Sequence, residues 1–264
     1  MEKIKLEDIN FSLLKKLDEQ GTESTIYTDG DVCYKMLNNL YPEEKDVLYK
    51  KIIDVEGLKL DNVILPIDLI IENDKLAGYT MKYMKNSSAL YDLFLDRYID
   101  SKKLFDYLNK VSIILRRLHQ KEIICQDLNF GNILVADDDI FLCDFDSYCY
   151  GKYESPFVSL CLKKFINGYR KEDICVNKNL DRISILLALY DLIFLKEIQK
   201  ITKKQHNLLS EHLETFKNCR IYIEKMINRN ASLPEIPYID ELININDDYI
   251  IDRNKVLTLF DKLF

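Results

Sequence analysis

The sequence predicts an α+β fold of two lobes, a small antiparallel-sheet lobe with one helix over residues 1–84 and a larger helical lobe over residues 85–264. Three observations carry this. Short runs rich in Val, Ile, Tyr and Thr, separated by turn residues, fill residues 10–85. From Ser87 onward the apolar residues recur at helical steps instead. No long linker or low-complexity tract marks the change, so two packed lobes suit a length of 264 residues.

Each element has a local reason. STIYT and DVCYKML flank Asp29-Gly30, the usual signal of a tight hairpin because both turn positions favour positive φ. VILPIDLII and KLAGYTMKYM flank a second turn at Asn73-Asp74. Between the pairs, Pro42 opens a helix with Glu43 and Glu44 in its first turn, where proline is tolerated and carboxylates meet the positive dipole end. Leu48, Ile52 and Val55 give that helix one apolar stripe. Leu104, Leu108, Val111, Leu115 and Leu118 predict a long amphipathic helix ending near His119. The stretch from Ile183 to Leu195 is apolar nearly all round and reads as a buried helix with Asp181 near its start. Residues 205–230 give another amphipathic helix. Past Pro234 and Pro237 comes an Asn- and Asp-rich connection and a short final helix.

Composition narrows the function. With 47% hydrophobic residues, five prolines and seven glycines the chain is neither disordered nor fibrous. Lys and Arg total 37 against 44 Asp and Glu, and the net charge of -7 repels a phosphate backbone or an anionic membrane surface. Nucleic acid and membrane are therefore not expected as partners. The cysteines, at 33, 125, 143, 149, 161, 175 and 219, include no C-x-x-C pair, which argues against a disulfide framework or a structural zinc site. The first twenty residues do not read as a signal peptide. The longest apolar stretch holds Asp191 and falls short of the roughly 20 residues a membrane span needs. A cytoplasmic, reduced protein is the expectation.

The chemistry concentrates in LHQKEIICQDLNFGNILV, residues 118–135, and IFLCDFDSY, residues 140–148. Asp127, Asn132 and Asp144 stand beside the strand-like runs ILV and IFLC, with the acidic turn Asp137-Asp138-Asp139 between them. Pairing those runs brings Asn132 and Asp144 to one end of a hairpin, where an amide oxygen and a carboxylate can share a hard cation such as Mg2+. Asp127 stands nearby as an unliganded carboxylate.

This arrangement resembles the protein-kinase catalytic loop, H-R-D-L-x-x-x-N, and the metal-binding D-F-G of bacterial-type serine/threonine kinases. The resemblance implies a two-lobed kinase-like fold and an ATP- and Mg2+-dependent transfer of the γ-phosphate to a hydroxyl-bearing acceptor. It makes Asp127 the base that accepts the acceptor's proton, and Asn132 and Asp144 the metal ligands. Lys35, in VCYKML, resembles the phosphate-pairing lysine of V-A-I-K. Gly21 and Ser24, in QGTESTIYT, resemble a degenerate phosphate-covering loop. MKYM resembles the hinge, with Met81 as gatekeeper and the backbone near Lys82 and Met84 meeting adenine. Lys35 needs an acidic partner from the helix. Glu44 lies on the core-facing stripe, and Glu56, at its edge, is the reserve choice.

The departures are equally specific. Cys125 and Gln126 replace the His and Arg before the Asp, so activity should not depend on a phosphate docking at position 126. Asp146 replaces the Gly of D-F-G and adds a third carboxylate near the metal site. No A-P-E follows, and SPFVSLCLKKFINGYR occupies its place. These departures open a second reading, a small-molecule kinase of the aminoglycoside or choline type, and a third, a pseudokinase that serves as a binding scaffold. Plainer roles stand beside the sharp ones: Lys35 as a solvated strand lysine, Asp181 as a helix cap instead of a ligand of the catalytic-loop backbone, Cys125 and Cys143 as small core side chains.

Overall fold

Alternation along the first half builds one sheet. Strands β1 (Lys3–Lys5), β2 (Lys15–Lys16), β3 (Ser24–Thr28), β4 (Val32–Leu37), β5 (Pro66–Glu72) and β6 (Lys75–Lys82) lie in the order β1-β5-β6-β4-β3-β2. All neighbours are antiparallel except β1, which joins β5 in parallel. In the computed structural model the described residues are 1–17, 24–95, 101–155, 177–185, 235–238 and 241.

The turns follow their residues. Asn73 and Asp74 both take positive φ between β5 and β6, as a two-residue hairpin requires. The first hairpin turns one residue later than expected. Asp29 N–H donates to the Val32 carbonyl, Gly30 alone takes positive φ, and the Asp29 carboxylate accepts from the N–H groups of Asp31 and Val32. Asp29 thus acts through its side chain, as Asx turns do, and not through a left-handed backbone.

Helix α1 (Pro42–Asp54) starts at the expected proline. Its buried residues are Leu48, Ile52 and, unexpectedly, Lys51. Beyond the sheet come β7 (Ser88–Ala89), α2 (Leu90–Leu95) and α3 (Ser101–Gln120), the last burying Leu108, Val111, Leu115 and Leu118 on one stripe. Four short strands follow: β8 (Ile123–Ile124), β9 (Ile133–Ala136), β10 (Asp139–Leu142) and β11 (Cys149–Tyr150). β9 and β10 form a hairpin through Asp137 and Asp138, both at positive φ, and β7 adds to its β9 edge. β11 pairs with β8.

The described residues thus form a mixed α and β structure with a multi-strand, largely antiparallel sheet. Residues 178–185 are helical, and Asn177 caps them by accepting from Asn179 N–H. Asp181 is inside that helix, so the cap role falls to Asn177 instead. Residues 186–195, the helix expected over 205–230 and the final helix lie outside the described residues. Among the described residues no helix is long and apolar enough to cross a membrane.

Candidate active site

β4 sets the first functional side chain. Its burial alternates, and Cys33, Lys35 and Leu37 take the inner face. Lys35 is therefore only 4% exposed, which rules out the solvated strand lysine. A buried ammonium needs charged partners. It has two: Nζ donates to Asp144 Oδ1 and, at 2.6 Å, to Asp146 Oδ1. Burial works against the charge of Lys35, but Asp144 and Asp146 outweigh it and keep the ammonium protonated well above the usual lysine range.

The hairpin sets the second and third. Leu142 pairs with Ile133, and Cys143 N–H donates to the Asn132 carbonyl, which carries the ladder one step further. Asn132 and Asp144 therefore sit at the same end. Asn132 Nδ2 donates to the Asp127 carbonyl at 3.0 Å, which ties the two ends of the loop together. Asn129 Oδ1 accepts from Gly131 and Asn132 N–H and shapes the turn between them. Asp127 is half-buried and lies close enough to Asp144 to oppose its ionisation. Burial and then Asp146 push the Asp144 carboxyl up to about 7, against the pull of Lys35. Asp144 itself takes a left-handed backbone, φ 66 and ψ 47, which Asp tolerates better than most residues.

The expected partner of Lys35 is corrected. Glu44 accepts from Tyr41 N–H at 2.9 Å in a capping box, because it occupies the third helical position, where a glutamate reaches back to the cap. Glu56 pairs with the α-amino group of Met1. The stripe position facing the site belongs to Lys51, whose Nζ donates to the carbonyls of Phe145 (3.3 Å), Asp146 (2.8 Å) and Tyr148 (2.7 Å). Sequence reasoning missed it. The signal was there, since Lys51 falls three residues after Leu48 and four before Val55 on the helical wheel. The third carboxylate shares Lys35 with Asp144 but is the more enclosed of the two. Asp146 is 2% exposed and turned toward the sheet, where Oδ1 accepts from Lys35 and from Tyr79 Oη at 2.7 Å.

The loop before Asp127 is held from behind. Asp181 accepts from Cys125 N–H (2.8 Å), Gln126 N–H (3.0 Å) and His119 Nε2 (2.9 Å). Of the two roles open to Asp181, the bond to the loop backbone is the one present. It supports Gln126 in a left-handed conformation, φ 58, that a non-glycine residue adopts only under constraint. Cys125 is buried, and burial drives its thiol well above the usual range, the behaviour of an inert core residue.

The other expected site residues are more dispersed. Met81 and Met84 are buried in the apolar cluster with Cys33, and Ile26, Leu134 and Cys143 pack against it. Lys82 is exposed at the end of β6, and Ser24 is half-buried opposite Leu37 at the end of β3. Gly21 lies outside the described residues. Among the described residues no group of three His, Cys, Asp or Glu is placed to hold a metal. Asn132 and Asp144 offer an amide oxygen and a carboxylate, a donor pair that suits Mg2+, which keeps waters and takes phosphate oxygens for its other positions.

No family model matches the chain. Among curated proteins it is similar to the serine/threonine-protein kinase nekl-2 of Caenorhabditis elegans, 23% identical over 199 residues, which is 70% of this chain and 55% of that protein. The chain spans about half the length of the curated relative it matches. The similarity supports a distant protein-kinase-like relationship.

Proposed function

We propose that the chain is an ATP- and Mg2+-dependent phosphotransferase that moves the γ-phosphate to a hydroxyl, built as two kinase-like lobes over residues 1–84 and 85–264. The observation that carries this reading is the convergence of Lys35, Asp127, Asn132 and Asp144 at one end of the β9–β10 hairpin, with Asn132 bonded to the Asp127 backbone. Lys35 would hold the α- and β-phosphates once Asp144 turns to the metal. Asn132 Oδ1 and Asp144 would hold Mg2+, which supplies charge neutralisation on the phosphates. Asp127 would accept the proton of the incoming hydroxyl and orient it for attack. Catalysis would come from positioning and fixed charge more than from covalent chemistry. The apolar set of Cys33, Ile26, Met81, Leu134 and Cys143 would receive the adenine.

The test pairs binding with turnover. Mg2+ and ATP together should raise the melting temperature, because a ligand that binds only the folded form stabilises it. Asp127→Ala should keep that shift and lose transfer from labelled ATP. Unchanged turnover in the variant removes the mechanism, and the absence of any shift in the native protein returns the non-catalytic interaction module. A small-molecule acceptor is the second reading, favoured by the net charge of -7, which suits a cationic metabolite. Phosphate incorporation into metabolite pools but not into generic protein substrates would select it.

A further inference from the structure

We propose that Asp146 is the positioning residue for Lys35, the fixed seat that keeps this lysine in place when Asp144 is taken by the metal. The inference rests on the phosphate-binding reading of Lys35. Two carboxylates share the lysine, and their surroundings separate their roles. The Asp144 side chain is 24% exposed, whereas that of Asp146 is 2% exposed. Mg2+ retains several waters, so the partly exposed carboxylate can reach it and the enclosed one cannot. Asp146 Oδ1 accepts from both Lys35 Nζ and Tyr79 Oη, and Tyr79 is the residue that pairs with Lys35 across β4 and β6. The donors thus come from the sheet and the acceptor from the turn after Asp144.

That turn is itself anchored. Lys51 bonds the carbonyls of Phe145, Asp146 and Tyr148 from α1, and Ser147 Oγ bonds the carbonyls of Asp144 and Cys125. When a cation draws the Asp144 oxygens away, Lys35 would otherwise be a buried ammonium without a counter-charge, at the cost of an uncompensated charge in a low-dielectric site. Asp146 removes that cost. The helix glutamates are not needed for it, since Glu44 is engaged at the start of α1.

The decisive experiment uses the full chain without nucleotide. A pulse of an amine-acylating reagent, read by mass spectrometry, should modify Lys35 about tenfold faster in Asp146→Asn than in the native protein, the factor for a lost partner of about 1.4 kcal/mol. Asp144→Asn should change the rate far less. Lys51 should stay protected in all three, which reports an intact fold. Should Asp146→Asn fail to fold, Tyr79→Phe removes one holder of Asp146 and should give the same contrast at smaller size. With ATP present, half-saturating Mg2+ should rise about tenfold in Asp146→Asn, because Lys35 then stays on Asp144 and competes with the metal. An unchanged Lys35 labelling rate in Asp146→Asn, or an equal acceleration of Lys35 labelling in Asp144→Asn, overturns the proposal. A native protein without any response to Mg2+ and ATP, but with the labelling contrast intact, overturns the kinase reading and leaves the seat of Lys35 standing.

Discussion

Lys51 brings two opposing forces into one residue. Burial costs its charge and brings its pKa down to about 8, while its three hydrogen bonds satisfy backbone carbonyls in the turn after Asp144. Lys51→Met would orphan the Asp146 and Tyr148 carbonyls, roughly 4 kcal/mol in all, and relieve roughly 3 kcal/mol of burial. The net loss near pH 7 is therefore about 1 kcal/mol. The loss then grows with pH through proton linkage. Between about pH 8 and the usual lysine range near 10.5 the unfolded chain binds the proton that the folded protein has shed, so the native protein gains stability from this group as pH rises. Urea unfolding should show the gap between native and Lys51→Met widening by about 2 kcal/mol from pH 7 to pH 9.5. A gap that stays constant would mean that Lys51 stays charged. The residue was readable as a stripe position, but a lysine there reads as a boundary residue until its acceptors are known.

Among elements, the β4–β6 contact is the most tightly specified. A methyl group on Gly78 would stand 2.3 Å from the Lys35 carbonyl, so the two strands approach as closely as they do only because position 78 has no side chain. Gly78→Ala should cost about 1–3 kcal/mol by chemical denaturation, the range for overpacking, and should loosen Lys35 in the labelling assay. A stability within error of the native protein would mean that the strands separate freely there. Both hairpins with two positive-φ turn residues were legible, since Asn73-Asp74 and Asp137-Asp138 are residues that tolerate that conformation. β1 was not. Three residues joining a sheet edge in parallel carry no turn signal, and only the presence of β5 beside them makes them a strand.

At the scale of the whole molecule, Asp181 joins pieces far apart in the chain. It bonds the loop at Cys125 and Gln126 and the end of α3 at His119, whose Nδ1 bonds Tyr238 Oη at 2.8 Å. Asp181→Ala leaves three buried donors without an acceptor and should lower the unfolding free energy by roughly 3–5 kcal/mol, read from the urea midpoint. A loss below about 1 kcal/mol would mean that water replaces the carboxylate. Asp127, Asn132 and Asp144 were legible because hairpin pairing and loop spacing are local, and the backbone geometry that unites them lies within one short stretch of chain. The counter-ion of Lys35 was not, because its choice compares carboxylates on different segments. The sequence by itself determined the strand and helix periods, the turns and the grouping of Asp127, Asn132 and Asp144, all set by near neighbours. Only the tertiary structure decided that Asp146 faces the sheet, that α1 presents a lysine and that Asp181 holds the loop, because burial and charge pairing depend on which distant surfaces meet.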